Sequence, residues 1–270
     1  MARSTQARHR LGHLADRREA RPQSRHRGIV PASWRRQIEG LSDEFTVVAW
    51  DAPRVGRSSD PPERFGMAGY ADCLAGFLDK LGLEKPHVAG LSFGGALALE
   101  LYRRHSAIPM TLILASAYAG WAGSLPADVV EQRLHQALVV ASLSPDEFVR
   151  ALLPTMFSDA TPPESVDEFG ATMLAFHPVG FRAMARASAE SLRDVLPHIK
   201  VPTLLVYGDN DVRAPLTVAE DLHEASPAPR LLSCRTPVIS ATSKRPRSLI
   251  GQSGLFSASG LDAVDCAPEL

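Results

Sequence analysis

Cysteine is scarce in this chain of 270 residues, with three scattered copies at Cys73, Cys234 and Cys266. Their spacing fits neither a disulfide framework nor a zinc site, and few thiols are typical of proteins in a reducing cytosol. An excess of charge is missing too, because 29 lysines and arginines face 30 aspartates and glutamates. No broad electrostatic field is therefore available to collect nucleic acid or an anionic membrane surface.

Long apolar runs are also absent. No run reaches the roughly 18 residues that a membrane-spanning helix needs. The chain is 45% hydrophobic and 22% charged, which is ordinary for a globular protein. We predict a cytoplasmic protein with no nucleic-acid or membrane partner. Nothing in the sequence indicates a metal or another cofactor, and the oligomeric state is not indicated.

The two ends of the chain lack the apolar periodicity of the middle. Residues 1–36 carry ten arginines, a composition that fits either a transit peptide or a disordered segment. Residues 234–270 are rich in serine, proline and glycine and contain no long amphipathic pattern. We expect both ends to be disordered.

Short apolar runs alternate with helical patterns through the middle of the chain. From Tyr70 to Leu81 the apolar spacing predicts a helix that ends at Gly82, and GGALALELYRRH predicts another. Strand–helix alternation predicts an α/β fold with a mostly parallel sheet and helices on both faces. The predicted strands are FTVVAW (45–50), HVAGLS (87–92), MTLILASA (110–117), TLLVYGD (203–209) and RLLS (230–233).

Between residues 119 and 198 the pattern is helical only. One helix is predicted to begin at Ser144-Pro145-Asp146-Glu147, an N-cap serine with proline at the first position and glutamate at the third. Ligands bind at the carboxyl edge of open α/β sheets, so this segment is predicted to form a lid over that edge. The core is then predicted to comprise residues 37–118 and 199–233.

The stretch Gly90-Leu91-Ser92-Phe93-Gly94 lies between a predicted strand and a predicted helix. A serine on such a sharp turn has a strained backbone, and its hydroxyl projects above the sheet at the positive end of the helix. The flanking glycines are expected to let strand and helix approach without a Cβ clash, and the Phe93 N–H to donate to an oxyanion. The same letters also fit a glycine-rich packing turn.

With this turn, two further segments resemble the α/β-hydrolase fold family, in its lidded branch of small esterases, lactonases and C–C-bond hydrolases. They are DAPRVGRSSDPPE (51–63) and VPTLLVYGDNDVRAP (201–215), and the resemblance covers Ser33 to Leu232. It implies that Ser92 is the nucleophile and that Asp211 is the acid of a catalytic triad, with Asp209 as the alternative. It also implies Gly28 as a second oxyanion donor. Arg54 stands where the family has glycine.

The expected catalytic base is missing. The family places a histidine after its last strand, usually as Gly-His, but none of the nine histidines here follows His223. We expect surface or packing roles for all nine, and among them His177 of the predicted lid is the best candidate to substitute for the base.

The genetic code offers an explanation for this gap. The segment CRTPVISATSKRPRSLIGQSGLF, from Cys234 to Phe256, can be back-translated with permitted codons. When the first two bases are dropped, one codon choice reads PDAGHLCNLEAPEEFNRAVRAF. That string contains Gly-His followed by an amphipathic helix, as the family has at its C-terminus. We therefore hypothesise a frameshift near Ser233.

Together these patterns predict a serine hydrolase that acts on a small apolar ester or lactone. Ser92 would attack the carbonyl carbon, and water would later release the acyl group. Lid side chains at Phe176, His177 and Phe181 are predicted to bind the substrate. Two alternatives remain open: a non-catalytic binding protein of the same fold, and a C–C hydrolase or cofactor-free haloperoxidase relative.

Overall fold

A computed structural model of the chain describes residues 31–42, 44–53, 58–59, 65–157, 161–174, 177–227 and 229–234. Both ends that were expected to be disordered lie mostly outside these ranges. The strands are β1 (His87–Leu91), β2 (Thr111–Ala115), β3 (Thr203–Gly208) and β4 (Arg230–Cys234). The helices are α1 (Pro31–Leu41), α2 (Gly66–Lys80), α3 (Phe93–Arg104), α4 (Trp121–Ser124), α5 (Ala127–Val140), α6 (Pro145–Leu152), α7 (Pro163–Met173), α8 (Pro178–Ser188) and α9 (Leu216–Ala225), with 3-10 helices at Leu153–Thr155 and Arg193–His198.

The four strands form one parallel sheet in the order β1-β2-β3-β4. The predicted α/β class, with a parallel sheet flanked by helices, is confirmed. Successive side chains of β3 point to opposite faces of the sheet, as in any pleated strand. Leu205 and Tyr207 join the main core with α2, α3 and α9, whereas Leu204 and Val206 join a smaller cluster on the other face.

Helix α2 packs on α3 through an apolar stripe with helical spacing. Its buried residues include Met67, Tyr70, Ala71 and Leu78, which recur at three- and four-residue intervals. The predicted stop at Gly82 is confirmed: Gly82 has φ +67, a left-handed conformation that favours glycine. Packing on α2 fixes α3 against the sheet, and Ser92 is the N-cap residue of α3.

Between β2 and β3, the described residues form helices and no strand. Helix α6 begins as predicted, with a capping box in which the Glu147 side chain accepts from the Ser144 N–H at 3.1 Å. Helices α5 and α8 of this helical insertion pack on each other, and α8 also contacts α2. A lid function for the insertion stays a prediction.

The prediction of a strand at 45–50 is wrong. Residues 46–50 have no regular secondary structure and pair with none of the described strands. The segment still lies beside the core, because the Phe45 ring contacts His87 and the Trp50 ring contacts Phe77. Apolar, β-prone residues favour an extended chain, but a strand also requires a partner for its backbone hydrogen bonds.

None of the helices in the described ranges is both long and apolar enough to cross a lipid bilayer.

Candidate active site

The carboxyl ends of the parallel strands bring three polar residues to one edge of the sheet. Ser92 follows β1, Ser116 follows β2, and Asp211 lies three residues after β3. The backbone links these positions directly. The Ser92 N–H donates to the Ala115 carbonyl at 2.8 Å, and the Ser116 N–H donates to the Val206 carbonyl at 2.9 Å. Backbone hydrogen bonds therefore connect Ser92 to β2 and Ser116 to β3 at the edge of the sheet that is predicted to hold the active site.

Ser92 occupies the strained turn that the sequence predicts. Its backbone has φ 52 and ψ −113, a region that a non-glycine residue rarely adopts and that costs on the order of 1–3 kcal/mol. The strained conformation is held on both sides of the residue. The Ser92 carbonyl accepts from Gly95 N–H at 2.9 Å and from Ala96 N–H at 3.2 Å, and the Ser92 N–H donates to the Ala115 carbonyl. The side chain is exposed at the N-terminus of α3, where the helix dipole favours negative charge.

Of the two glycines that flank Ser92, Gly90 has the predicted role and Gly94 does not. A Cβ on Gly90 would lie 2.1 Å from the Gly94 carbonyl oxygen, so glycine is required there. A Cβ on Gly94 would meet nothing within 4 Å, so the prediction that Gly94 relieves a clash is wrong. The second close approach is at Gly95, where a Cβ would lie 2.4 Å from the Ala117 Cβ. Gly90 and Gly95 therefore allow α3 to approach the ends of β1 and β2.

Phe93 is the first residue of α3, so its N–H has no acceptor within the helix. Its position agrees with the predicted role as an oxyanion donor, which stays a prediction. The Phe93 ring packs edge-to-face on Tyr70, with ring centroids 5.2 Å apart. The second predicted donor, Gly28, lies outside the described residues.

Asp211 is held by three hydrogen bonds. Its Oδ1 accepts from the N–H groups of Arg213 and Ala214, both at 2.9 Å. Its Oδ2 accepts from the Ser116 hydroxyl at 2.6 Å. These three donors fix the orientation of the carboxylate. The alternative acid, Asp209, is exposed at the end of β3.

Ser116 is a site residue that the sequence reasoning missed. It is buried, with 5% of its surface exposed, and its φ of 44 is left-handed, as is that of Ser92. Strained backbone at non-glycine residues clusters at functional sites. The signal in the sequence was a serine directly after MTLILA, at the same sheet edge as Ser92.

Replacing Ser116 with alanine is expected to lower the free energy of unfolding by about 1–3 kcal/mol, because Asp211 loses a charge-assisted hydrogen bond in a part-buried position. Ser116→Gly removes the same hydroxyl but accepts the left-handed φ without strain. We therefore expect the glycine variant to lose less stability than the alanine variant in urea denaturation. An alanine variant as stable as the parent chain would contradict the contact.

A cleft lies beside Ser92, with about 270 Å³ of empty space including its open mouth. It is lined by Ser92, Phe93, Ala96, Tyr118, Gly120, Trp121 and Ser188. Of the residues predicted to bind substrate, His177 and Phe181 are not among those lining this cleft, and Phe176 lies outside the described residues. His177 is exposed at the start of α8, and the Phe181 ring packs on Phe148 at 5.0 Å.

The cleft wall beyond Ser92 contains Tyr118, whose hydroxyl donates to the Arg213 carbonyl. Burial raises the pKa of Tyr118, and the nearby Arg133 opposes this shift. Burial also raises the pKa of Tyr207 strongly; its hydroxyl donates to the Ala117 carbonyl. Both phenols are therefore neutral hydrogen-bond donors at neutral pH and serve to hold the loops that follow β2 and β3.

No histidine in the described ranges is hydrogen-bonded to Ser92 or Asp211. His87 lies at the opposite end of β1 and bonds Thr111 at 2.8 Å, and His105 bonds Asp72 at 2.8 Å. His135 and His223 are exposed on α5 and α9. The base that a serine nucleophile needs is therefore not supplied by these side chains.

In the described part of the chain, no group of three or more His, Cys, Asp or Glu side chains is placed so that it could hold a metal ion.

Comparison with known proteins finds relatives that are named as hydrolases, lactonases and esterases. The protein named as the carbamate hydrolase RutD of Azorhizobium caulinodans is 30% identical over 208 residues, which cover 73% of this chain and 76% of that protein. 3-Oxoadipate enol-lactonase 1 of Acinetobacter baylyi is 26% identical over 206 residues, 73% of each chain. The malate-bound structure of a thermophilic esterase from Thermogutta terrifontis aligns with a TM-score of 0.74 at 26% identity, covering 83% of this chain and 85% of that one.

The same relationship appears at the level of the family. Residues 28–236 match the alpha/beta hydrolase fold family, a span that includes the strained Ser92 turn, the four parallel strands and Asp211. A chain with this match, this sheet and these relatives belongs to the α/β-hydrolase fold family and is a hydrolase by descent.

Proposed function

We propose that this chain is a serine hydrolase for small esters or lactones, with Ser92 as its nucleophile and Asp211 as the acid of its triad. The observation that carries the proposal is the strained backbone of Ser92, at φ 52 and ψ −113, beside an open cleft. Proteins retain such strain where it aims a reacting group. Here the strain places the hydroxyl at a helix N-terminus.

In the proposed reaction the Ser92 oxygen bonds to the carbonyl carbon of the substrate, and the carbonyl oxygen becomes negatively charged. The Phe93 N–H donates to that oxyanion, and the dipole of α3 adds to its stabilisation. The hydroxyl proton must pass to a base and then to the leaving alcohol. Asp211, fixed by Ser116 and by two backbone N–H groups, would orient that base.

The substrate class follows from the cleft wall. Phe93, Ala96 and Trp121 give an apolar surface next to Ser92, and the space is small. A short acyl group fits this surface better than a long chain or a polymer. Two of the relatives are named as an esterase and an enol-lactonase, names that indicate an ester and a lactone as their substrates.

The missing base is attributed to a frameshift near Ser233. The alternative reading from Cys234 to Phe256 supplies Gly-His after β4, where the base of the family stands. β4 ends at Cys234, so the histidine would lie a few residues beyond the last strand. Sequencing of the coding DNA from Arg230 to Phe256 tests this point, and a DNA sequence incompatible with the alternative reading would refute it.

Labelling with a fluorophosphonate probe tests the nucleophile in the chain as written. We expect slow modification of Ser92, mapped by peptide mass spectrometry, and no modification of a Ser92→Ala variant. Labelling is slow because no base assists, but the strained hydroxyl at the helix N-terminus remains the most reactive serine. Modification of other serines at the same rate would contradict the assignment.

A non-catalytic binding protein is the second candidate, favoured by one observation: no histidine of the described residues reaches Ser92 or Asp211. In that case, ligands would protect the chain against thermal unfolding, and Ser92 would not be labelled under any condition. The two candidates share the same cleft and differ only in turnover.

A further inference from the structure

A second serine lines the cleft that contains Ser92. It is Ser188, the last residue of α8 in the helical insertion, and it is half-buried. The other side chains on the wall are apolar or aromatic: Phe93, Ala96, Tyr118 and Trp121. The Tyr118 hydroxyl donates to the Arg213 carbonyl. Among the described residues that line the cleft, Ser188 is therefore the one aliphatic hydroxyl besides the proposed nucleophile.

The proton of the Ser188 hydroxyl has a fixed direction. The hydroxyl donates to the Met184 carbonyl, one turn earlier in α8, at 2.9 Å. A hydroxyl has one proton and two lone pairs, and a carbonyl oxygen cannot donate, so the proton lies toward Met184. What remains for a ligand is a lone pair. Ser188 therefore offers the cleft a hydrogen-bond acceptor, and it cannot donate to an oxyanion without breaking its bond in the helix.

The chain that follows α8 is held against the cleft wall. The Leu192 N–H donates to the Ala119 carbonyl at 2.8 Å. A Cβ on Gly120 would lie 1.9 Å from the Glu190 carbonyl oxygen, so these two segments are in direct contact. The Glu190 side chain also accepts from the Met67 N–H, in the first turn of α2, at 2.9 Å. The end of α8 is therefore in place before a ligand enters, and little conformational entropy is lost there on binding.

We propose that Ser188 determines specificity by accepting a hydrogen bond from a hydroxyl or N–H group on the acyl part of the substrate. A donor that enters an apolar cleft and finds no acceptor loses its bond to water without replacement. Ser188 supplies that acceptor at a fixed position. The inference rests on the proposed function and narrows its substrate class to short esters or lactones whose acyl part contains a hydrogen-bond donor.

A purely structural role for Ser188 is the alternative. A serine near the end of a helix often bonds the carbonyl four residues earlier, as Ser188 does with Met184. If this were its whole role, Ser188→Ala would change stability and would affect ligands with and without a donor equally. The difference between two matched ligands therefore separates the two roles.

The experiment is a ligand-observed NMR titration of the chain as written, in which the same spectra also report any ester cleavage. Two pairs of probes differ only by a hydroxyl in place of a methyl group: methyl lactate with methyl isobutyrate, and methyl 3-hydroxybutanoate with methyl isovalerate. The quantity measured is the affinity for the hydroxy ester divided by that for its partner. We expect Ser188→Ala to lower this ratio about three- to tenfold in at least one pair.

Two variants test whether the hydroxyl itself is responsible. Ser188→Thr keeps a hydroxyl that can bond the same carbonyl, and we expect it to keep the ratio within about twofold of the parent value. Ser142→Ala is the matched control, because the Ser142 hydroxyl also donates to a carbonyl of its own helix, that of Val139 at 2.6 Å, but is exposed and does not line the cleft. It should leave the ratio unchanged.

A ratio that Ser188→Ala leaves unchanged in both pairs would overturn the proposal, as would an equal effect of Ser142→Ala. Methyl 3-methoxybutanoate keeps the oxygen but lacks the proton. If Ser188→Ala weakened this ether as much as the hydroxy ester, Ser188 would be a donor and the proposal would be wrong. If Ser188→Ala does not fold, Ser188→Cys replaces the oxygen with a weak acceptor and should lower the ratio instead.

Failure of this proposal can be told apart from failure of the hydrolase proposal. Fluorophosphonate labelling of Ser92 depends on the nucleophile and not on a donor in the ligand. An unchanged ratio with normal labelling of Ser92 would refute only the role of Ser188, whereas an absence of selective labelling would refute the nucleophile.

Discussion

Ester hydrolysis should rise by on the order of 10⁴-fold or more when residues 234–256 are replaced by PDAGHLCNLEAPEEFNRAVRAF. The replacement adds the histidine that the proposed triad lacks, a few residues beyond the end of β4. β4 pairs with β3 in register, with Gly208 opposite Cys234. A histidine a few residues beyond Cys234 therefore emerges at the same sheet edge as Asp211, which follows Gly208.

The size of the effect follows from the chemistry. Without a base, the Ser92 proton leaves only to water, and the remaining rate comes from the oxyanion donor and from substrate binding. The members of a triad act as a unit, so the loss of one forfeits most of their joint contribution. Hydrolysis of p-nitrophenyl acetate, measured for both chains at equal concentration, gives the ratio.

Two controls separate catalysis from folding. In the replaced chain, changing the Gly-His histidine to alanine keeps the new helix and should return the rate to that of the chain as written. Ser92→Ala in the replaced chain should abolish hydrolysis above background. Full activity in either control would show that a different group performs the reaction.

Gly90→Ala is expected to destabilise the fold by about 3 kcal/mol. The added Cβ would lie 2.1 Å from the Gly94 carbonyl oxygen and 2.5 Å from the Gly95 nitrogen. Both are backbone atoms of the first turn of α3, so they cannot rotate away as a side chain would. The helix must move off β1, and the Ser92 turn must change with it. Urea denaturation followed by circular dichroism measures the loss.

Gly94→Ala is the matched control, four residues away in the same motif. A Cβ there meets nothing within 4 Å, and Gly94 lies within α3 with no positive φ. Alanine is preferred over glycine in helices by about 1 kcal/mol, so this variant should be as stable as the parent chain or slightly more stable. A loss at position 94 as large as that at position 90 would contradict the geometry of the turn.

Local patterns in the sequence predicted much of the fold. The apolar runs at 87–92, 110–117, 203–209 and 230–233 became β1 to β4, and the spacing after Tyr70 became α2. Gly82 ended its helix and Ser144 capped another. These features depend on neighbours in sequence and on a buried apolar face, and both can be read from the residues. The segment at 45–50 shows the limit of this reasoning, because a strand also needs a partner for its backbone hydrogen bonds.

The sequence by itself determined that a serine stands on a strand-to-helix turn and that an aspartate follows a later strand. It also determined that no histidine comes after His223. Only the tertiary structure decided that Ser116 bonds Asp211, that Gly95 rather than Gly94 makes the second close approach, and that Leu192 bonds Ala119 beside the cleft. The physical reason is distance along the chain. These contacts join residues 22 to 95 positions apart, and they exist only because parallel strands bring their carboxyl ends to one edge.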